Sequence, residues 1–145
     1  MRQKQFELEV EARVENIPVI ADFVSNALEQ FGADPASANE VQLVIDEACT
    51  NVIKHAYAGV VGPLKLVLEM TGDDLIIVVN DKGKPFDPCS VPPPDLGTNV
   101  ETRKIGGLGM YFMQKLTDEI TYSFDARLGN RLTMKKRLLL KADAG

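Results

Sequence analysis

The chain begins with a regular alternation of apolar and charged residues. Glu7, Glu9, Glu11 and Arg13 separate the apolar positions. Those apolar positions are Phe6, Leu8, Val10, Ala12 and Val14. A period of two directs successive side chains to opposite faces of a strand. The pattern therefore predicts a half-buried first strand with one solvated face.

Two segments with helical periodicity follow. The first is predicted from Asn16, a suitable N-cap, to about Phe31, before the C-terminal stop Gly32. Its apolar side is Val19, Ile20, Phe23, Val24, Ala27, Leu28 and Phe31. The second is predicted from residues 35–37 to about Tyr57. Its apolar side is Val41, Val44, Ile45, Ala48, Val52, Ile53 and Ala56, at spacings of three and four.

The remaining regular pattern predicts four strands in two pairs. Their ranges are Leu64–Met70, Leu75–Asn80, Ile120–Phe124 and Arg131–Leu139. Turns at Thr71–Asp74 and Leu128–Asn130 join the members of each pair. The strand Leu75–Asn80 is almost entirely apolar, which predicts a central place in the sheet.

Regular periodicity stops between Asp81 and about Gly106, a stretch rich in proline and glycine. An irregular loop of this length inside a compact domain is usually functional. We therefore predict a lid over residues 88–106. A third helix is expected to begin at residues 107–109. Its predicted apolar side is Leu108, Phe112, Leu116 and Ile120.

This order of elements predicts an α+β fold. Neighbouring strands with few crossovers favour a two-layer sandwich, in which a mixed, mostly antiparallel sheet carries helices on one face. The pattern shows no internal repeat and no linker, so residues 1–145 are expected to form one domain.

Composition excludes several classes of function. With 145 residues, 45% of them hydrophobic, the chain can bury a core without disulfides. It lacks an apolar run long enough to span a membrane and an apolar leader, so we expect a cytoplasmic protein. A net charge of −5 argues against direct binding of nucleic acid.

Basic residues and cysteines add little chemistry. The basic residues near the C-terminus are predicted to form the solvated face of a terminal strand. They are Arg127, Arg131, Lys135, Lys136, Arg137 and Lys141. Cys49 and Cys89 predict neither a disulfide nor a zinc site.

A first candidate site lies on the second helix. Glu47, Asn51 and His55 occur at i, i+4 and i+8, which places them along one helical face. A carboxylate one turn from an amide can place a base beside a magnesium ligand. An ordinary solvated face is the alternative interpretation.

A second candidate is the segment Asp81–Pro88, directly after the apolar strand. An acidic residue at a strand end can accept a hydrogen bond from an amino group such as that of adenine. Gly83 would let the backbone approach a flat ring closely. A plain turn is the alternative, because aspartate, glycine and proline are common in turns.

The third candidate is Gly106-Gly107-Leu108-Gly109, at the start of the third helix. Backbone N–H groups at a helix N-terminus favour anions, so this segment could hold phosphates. It lacks the lysine and hydroxyl residue of a P-loop. The alternative is a hinge for the lid.

Together, in this order, the three segments resemble the N, G1 and G2 boxes of the Bergerat-fold ATPases. The sequence EACTNVIKHAY at residues 47–57, DKGKPFDP at 81–88 and IGGLGMY at 105–111 are similar to those of the bacterial anti-sigma-factor serine kinases. The resemblance extends from the first strand to the last. It implies the Bergerat ATP-binding fold.

The resemblance also implies a role for each matching residue. Glu47 would be the general base and Asn51 the Mg²⁺ ligand. Asp81 would bind the adenine amino group, Gly83 would leave room for the ring, and Thr133 would support Asp81. The residues expected near the phosphates are His55, Arg103, Lys104, Gly107, Leu108 and Gly109.

The implied function is an ATP- and Mg²⁺-dependent serine/threonine-protein kinase and anti-sigma factor. Its substrate would be a STAS-domain antagonist, and its other partner a sigma factor or another regulator. The resemblance also suggests a homodimer formed through the first strand or the sheet edge. Two alternatives are a nucleotide-dependent regulator-binding module without kinase activity and a separated histidine-kinase ATP domain. The G1 segment argues against the latter, because it lacks that branch's second glycine.

Overall fold

A computed structural model of the chain describes residues 4–88 and 112–141. The first half of the chain forms β1 (Gln5–Glu11), a 3-10 turn (Val14–Asn16), α1 (Ile17–Phe31), α2 (Pro35–Asn51) and a π-helical segment (Val52–Ala56). The second half forms β2 (Pro63–Thr71), β3 (Asp74–Asp81), β4 (Glu119–Asp125) and β5 (Gly129–Arg137). Residues 112–116 are also helical.

The described strands form a five-stranded sheet in the order β1-β2-β3-β5-β4. Every neighbouring pair in it is antiparallel, so the described sheet contains none of the parallel pairing that a mixed sheet would have. The strand β3 lies in the centre, which confirms the prediction from its apolar sequence. The α+β prediction is likewise confirmed.

One face of the sheet packs against α1 and α2. Burial alternates along β2, β3 and β5, and the buried residues join those of the helices in one core. The sheet residues in this core include Leu64, Leu66, Leu68, Leu75, Ile77, Val79, Leu132 and Met134. On β3 and β5, this buried face also carries Asp81 and Asn130 at the strand ends.

Three residues that were predicted to face the core are exposed. Val14 is exposed because β1 ends at Glu11 and the chain turns before reaching it. Val19 lies in the first turn of α1 and points away from the core. Phe112 is also exposed, and the neighbouring side chain of Met113 is the one that is fully buried in the core.

The second helix is not one continuous α-helix as predicted. Its α-helical part ends at Asn51, and the following residues, Val52–Ala56, form a π-helical segment. A π-turn contains more residues than an α-turn and often occurs at functional sites. Side chains beyond Asn51 therefore point in directions that differ from those expected of a continuous α-helix.

Lys136 is a second correction, because it is buried rather than part of a solvated basic face. It shares the core-facing parity of Met134 on β5. Its Nζ donates to the carbonyl oxygen of Leu116 at 2.6 Å and lies 3.3 Å from the carboxylate of Glu40. The lysine thereby links β5 to α2 and to the end of helical segment 112–116.

Most of the predicted lid and the glycine-rich segment lie outside the described residues, as does Cys89. Cys49 is buried in the core with a free thiol, and burial raises its pKa to about 12. In the ranges 4–88 and 112–141, no helix has the length and apolarity needed to cross a membrane.

Candidate functional site

A pocket lies where the end of α2 meets the end of β3. Its walls are mostly apolar, and Asn51, Asp81 and Asn130 contribute polar groups. The full lining is Ala48, Asn51, Val52, Ala56, Val79, Asp81, Phe86, Pro88, Tyr122, Asn130 and Leu132. An apolar cleft with a few convergent polar groups is the usual form of a small-molecule site.

Asp81 is the buried acid of this pocket, with 4% of its surface exposed. Its Oδ1 accepts hydrogen bonds from Gly83 N at 2.8 Å and from Asn130 Nδ2 at 2.9 Å. Among the described residues, none donates a hydrogen bond to Oδ2. Burial raises the pKa of Asp81, and the two hydrogen bonds partly oppose that rise. Oδ2 is therefore the oxygen available to a ligand.

Asn130 holds Asp81 in place, although it is not among the site residues predicted from the sequence. Its Nδ2 donates to Asp81 Oδ1 and, at 2.7 Å, to the carbonyl oxygen of Lys84. Its Oδ1 accepts from Phe86 N at 3.1 Å and from the hydroxyl of Tyr122. All four hydrogen-bonding positions of the amide are therefore filled. The register of β3 against β5 would have identified Asn130 from the sequence, because Asn130 is the residue that pairs with Asp81 across these two strands.

Thr133, the residue expected to support Asp81, lies elsewhere. It pairs with Val78 and Thr121, on the face of the sheet opposite the core. Strand side chains alternate between faces, so an odd-numbered residue of β5 does not share a face with Asp81. The supporting position belongs to Asn130.

Gly83 is required by a close contact within the protein. A Cβ at this position would lie 2.5 Å from the carbonyl oxygen of Ala56. The adjacent Lys84 N donates to that same oxygen at 2.8 Å. Gly83 therefore allows the loop after β3 to approach the end of the π-helical segment, and this contact already requires a residue without a side chain.

Gly129 is a second glycine that the site requires. Its φ of +85° is in the left-handed region, and a Cβ there would lie 2.0 Å from the carbonyl oxygen of Asp81. This glycine begins β5 and lets it approach the end of β3.

Glu47 and Asn51 share one side of α2, as their spacing predicts. Asn51 is the last residue of α2 and lines the pocket, and Glu47 lies one turn earlier. Glu47 is partly buried, and this desolvation raises its pKa. The charge of Asp46 raises that pKa further, while Lys54 lowers it. A carboxyl with a raised pKa is better matched to proton transfer near neutral pH.

His55 does not line this pocket with Asn51. It is exposed, and its ring stacks on Phe86 with centroids 4.8 Å apart and planes at 19°. The π-helical segment turns this residue towards the loop after β3. Its observed contact is therefore with that loop.

The remaining predicted site residues, Arg103, Lys104, Gly107, Leu108 and Gly109, lie outside the described residues. Within the described part of the chain, no group of three or more metal-binding side chains is suited to hold a metal on its own. Asn51 offers one oxygen ligand, which fits a Mg²⁺ ion that takes its other ligands from phosphates and water. The acceptor Asp81 Oδ2 in an apolar pocket fits the amino edge of adenine.

Comparisons with known proteins agree with this geometry. Residues 10–136 match the family described as "Histidine kinase-like ATPase domain". The protein named serine-protein kinase RsbW from Staphylococcus aureus strain MSSA476 is 31% identical over 121 residues, covering 79% of this chain and 76% of the relative. The protein of the same name from strain Newman matches to the same extent.

A solved structure, described as the RsbU and RsbW domains of Rv1364c from Mycobacterium tuberculosis, has a similar fold. The TM-score is 0.69 at 19% identity. The match covers 96% of this chain and 34% of that one. At this identity, the likeness supports the fold.

Proposed function

The chain belongs to the histidine kinase-like ATPase family, as a relative of the serine-protein kinases RsbW, and from this premise we propose that it is an ATP-dependent serine/threonine-protein kinase and anti-sigma factor. Its substrate would be a STAS-domain antagonist in a partner-switching pathway. The observation that carries the proposal is the buried Asp81, which has one oxygen held by Asn130 and Gly83 and the other left for a ligand.

Base binding is assigned to the pocket between α2 and β3. Asp81 Oδ2 would accept a hydrogen bond from the amino group of adenine. Val79, Leu132 and Ala48 supply apolar surface for the ring. Phe86 and His55 would position the loop at the pocket's edge, because their stacked rings join this loop to the π-helical segment.

Phosphoryl transfer is assigned to the two polar residues of α2. Asn51 would hold Mg²⁺, which offsets the charge of the phosphates when bound. Glu47 would accept the proton from a serine or threonine hydroxyl of the partner protein. Its raised pKa supports this role, because it brings the acid closer to neutral pH.

Partner switching would follow from the reaction product. A phosphoryl group adds about −1.5 to −2 charges to the antagonist at pH 7. Repulsion by the acidic kinase, with its net charge of −5, would favour release of the modified antagonist. The released kinase would then hold a sigma factor or another regulator. We also propose that the chain forms a homodimer. Light scattering of the purified protein would test this oligomeric state.

The alternative is a module that binds nucleotide and a regulator without transferring phosphate. Asp81 and Asn51 would serve both functions equally well. Glu47 distinguishes them, since a module that only binds has no need of a carboxylate with a raised pKa one turn from the metal ligand.

The test is transfer of labelled phosphate from ATP·Mg²⁺ to STAS-domain proteins encoded in the same genome. The wild-type chain should label a serine or threonine of one of them. Glu47→Gln should slow transfer by about a hundredfold to ten-thousandfold while nucleotide affinity is kept. Asn51→Ala should lose both transfer and magnesium-dependent binding.

Asp46→Asn is the matched control, because it removes an exposed carboxylate beside Glu47 that does not line the pocket. Transfer should persist in this variant, with the acid limb of its pH–rate profile moved to lower pH, because the charge of Asp46 raises the pKa of Glu47. Tight nucleotide binding without transfer to any STAS-domain protein would favour the binding module. Absence of nucleotide binding would contradict both functions.

A further inference from the structure

We propose that Asn130 determines which purine base the pocket accepts. By donating to Asp81 Oδ1, it would hold Asp81 as a hydrogen-bond acceptor, so that the pocket takes a base with a 6-amino group and rejects one with a 6-oxo group. This inference rests on the proposed function, because it assigns the pocket to a nucleotide. It adds a specificity-determining residue that does not itself touch the base.

The orientation of the Asn130 amide follows from its neighbours. The carbonyl oxygen of Lys84 can only accept a hydrogen bond, so the atom 2.7 Å from it must be Nδ2. The backbone N–H of Phe86 can only donate, so the atom 3.1 Å from it must be Oδ1. The amide therefore cannot flip without losing both contacts.

This fixed orientation determines what Asp81 can do. The second hydrogen of Nδ2 is directed to Asp81 Oδ1 at 2.9 Å, and Gly83 N donates to the same oxygen. Two donors on Oδ1 favour the ionised carboxylate. Asp81 then presents Oδ2 as an acceptor. A 6-amino group can donate to it, whereas the oxygen of a 6-oxo purine would face it as a second acceptor.

Asn130→Asp changes this arrangement with almost no change in shape. It replaces the Nδ2 donor by an oxygen beside Asp81 Oδ1, and two carboxyl groups so close cannot both ionise. The pair would then hold one proton, and in the form that carries this proton on Asp81 Oδ2, Asp81 can donate a hydrogen bond to a 6-oxo group. The preference for a 6-amino base should therefore fall.

The experiment measures binding of three diphosphates, ADP, IDP and purine ribonucleoside diphosphate, to the full chain by isothermal titration calorimetry. Diphosphates keep the measurement independent of phosphoryl transfer. In the wild-type protein, ADP should bind about tenfold or more tightly than the purine analogue, which lacks the 6-amino donor. IDP should bind more weakly than the purine analogue, because its 6-oxygen is repelled. Asn130→Asp should reduce the ADP-to-IDP preference by about tenfold or more.

Tyr122→Phe is the matched control. It removes the hydroxyl that bonds to Asn130 Oδ1 but leaves both Nδ2 contacts in place. The affinities for ADP and IDP should fall together, with their ratio within about twofold of wild type. Asn130→Ser, which removes both amide N–H donors without adding a carboxylate, is the second variant if Asn130→Asp does not fold. It should also lose much of the preference.

The outcomes separate the two proposals. If the wild-type chain binds none of the three nucleotides, the proposed function fails and the selectivity role fails with it. If the wild-type chain prefers ADP but folded Asn130→Asp and Asn130→Ser proteins keep its ADP-to-IDP ratio, Asn130 is merely structural and the proposed function stands. Equal binding of IDP and the purine analogue by the wild-type chain would contradict the proposal that Asp81 acts only as a hydrogen-bond acceptor.

Discussion

Gly129→Ala should destabilise the chain more than the same change at Gly72. Both glycines have positive φ, +85° at Gly129 and +62° at Gly72. Their surroundings differ. A Cβ at Gly129 would lie 2.0 Å from the carbonyl oxygen of Asp81, whereas a Cβ at Gly72 has nothing within 4 Å. The pair therefore separates backbone strain from steric conflict.

The magnitudes follow from these two terms. An alanine in the left-handed region costs about 1–2 kcal/mol at either position. Alanine also lowers the conformational entropy of the unfolded chain, which stabilises both variants by about 0.4–1 kcal/mol. The Gly129 change adds an overpacking cost of about 1–3 kcal/mol, because the atom in conflict is backbone and cannot rotate away. Gly129→Ala should therefore lose about 1–3 kcal/mol more stability than Gly72→Ala.

Urea unfolding of the two variants and the wild-type chain measures this difference, and calorimetric titration with ADP measures its effect on the site. ADP affinity should fall in Gly129→Ala, because the conflict displaces the backbone of Asp81. Gly72→Ala should keep wild-type affinity, since its turn lies at the other end of β3. Equal losses of stability in the two variants would refute the reasoning, as would unchanged ADP binding in Gly129→Ala.

Three further perturbations test the rest of the site. As the pH is lowered, the rate of phosphoryl transfer should begin to fall at a higher pH than it would with an exposed glutamate as the base, because burial raises the pKa of Glu47. Lys54→Met removes a charge that lowers this pKa, so the acid limb of the pH–rate profile should move to higher pH, and an unmoved limb would argue against Glu47 as the base. Gly83→Ala should cost about 1–3 kcal/mol in urea unfolding, because its Cβ would meet the carbonyl of Ala56 at 2.5 Å, and unchanged stability would contradict that contact. ADP affinity should also weaken as the pH falls through the raised pKa of Asp81, whereas an affinity that stays constant down to about pH 4 would contradict its role as an acceptor.

Local patterns were sufficient to predict the strands of this sheet and the first two helices up to Asn51. The alternation in β1 and the apolar run of β3 follow from side-chain parity alone. The strand β3 lies within one residue of its predicted bounds, whereas β1 ends three residues before the end of its alternation at Val14. The spacing of Glu47 and Asn51 was also sufficient to place them on one side of α2. In each case, the information lies within a few neighbouring residues.

The supporting contacts of the site depend on pairings between distant segments. Asn130 and Asp81 are 49 positions apart, and only the register of β3 and β5 brings them together. The resemblance implied Thr133 for the supporting role, but the parity of β5 places Thr133 on the opposite face of the sheet from Asp81. Lys136 was misplaced for a related reason, because its partners Leu116 and Glu40 come from other elements.

The loop after β3 connects the two ends of the proposed nucleotide site. Lys84 N donates to Ala56 O, beside the helix that carries Asn51, and Lys84 O accepts from Asn130, which holds Asp81. One residue thus joins the proposed metal end to the proposed base end through its own backbone. Substitutions at Ala56 or Asn130 should therefore alter nucleotide affinity even when Asn51 and Asp81 are unchanged.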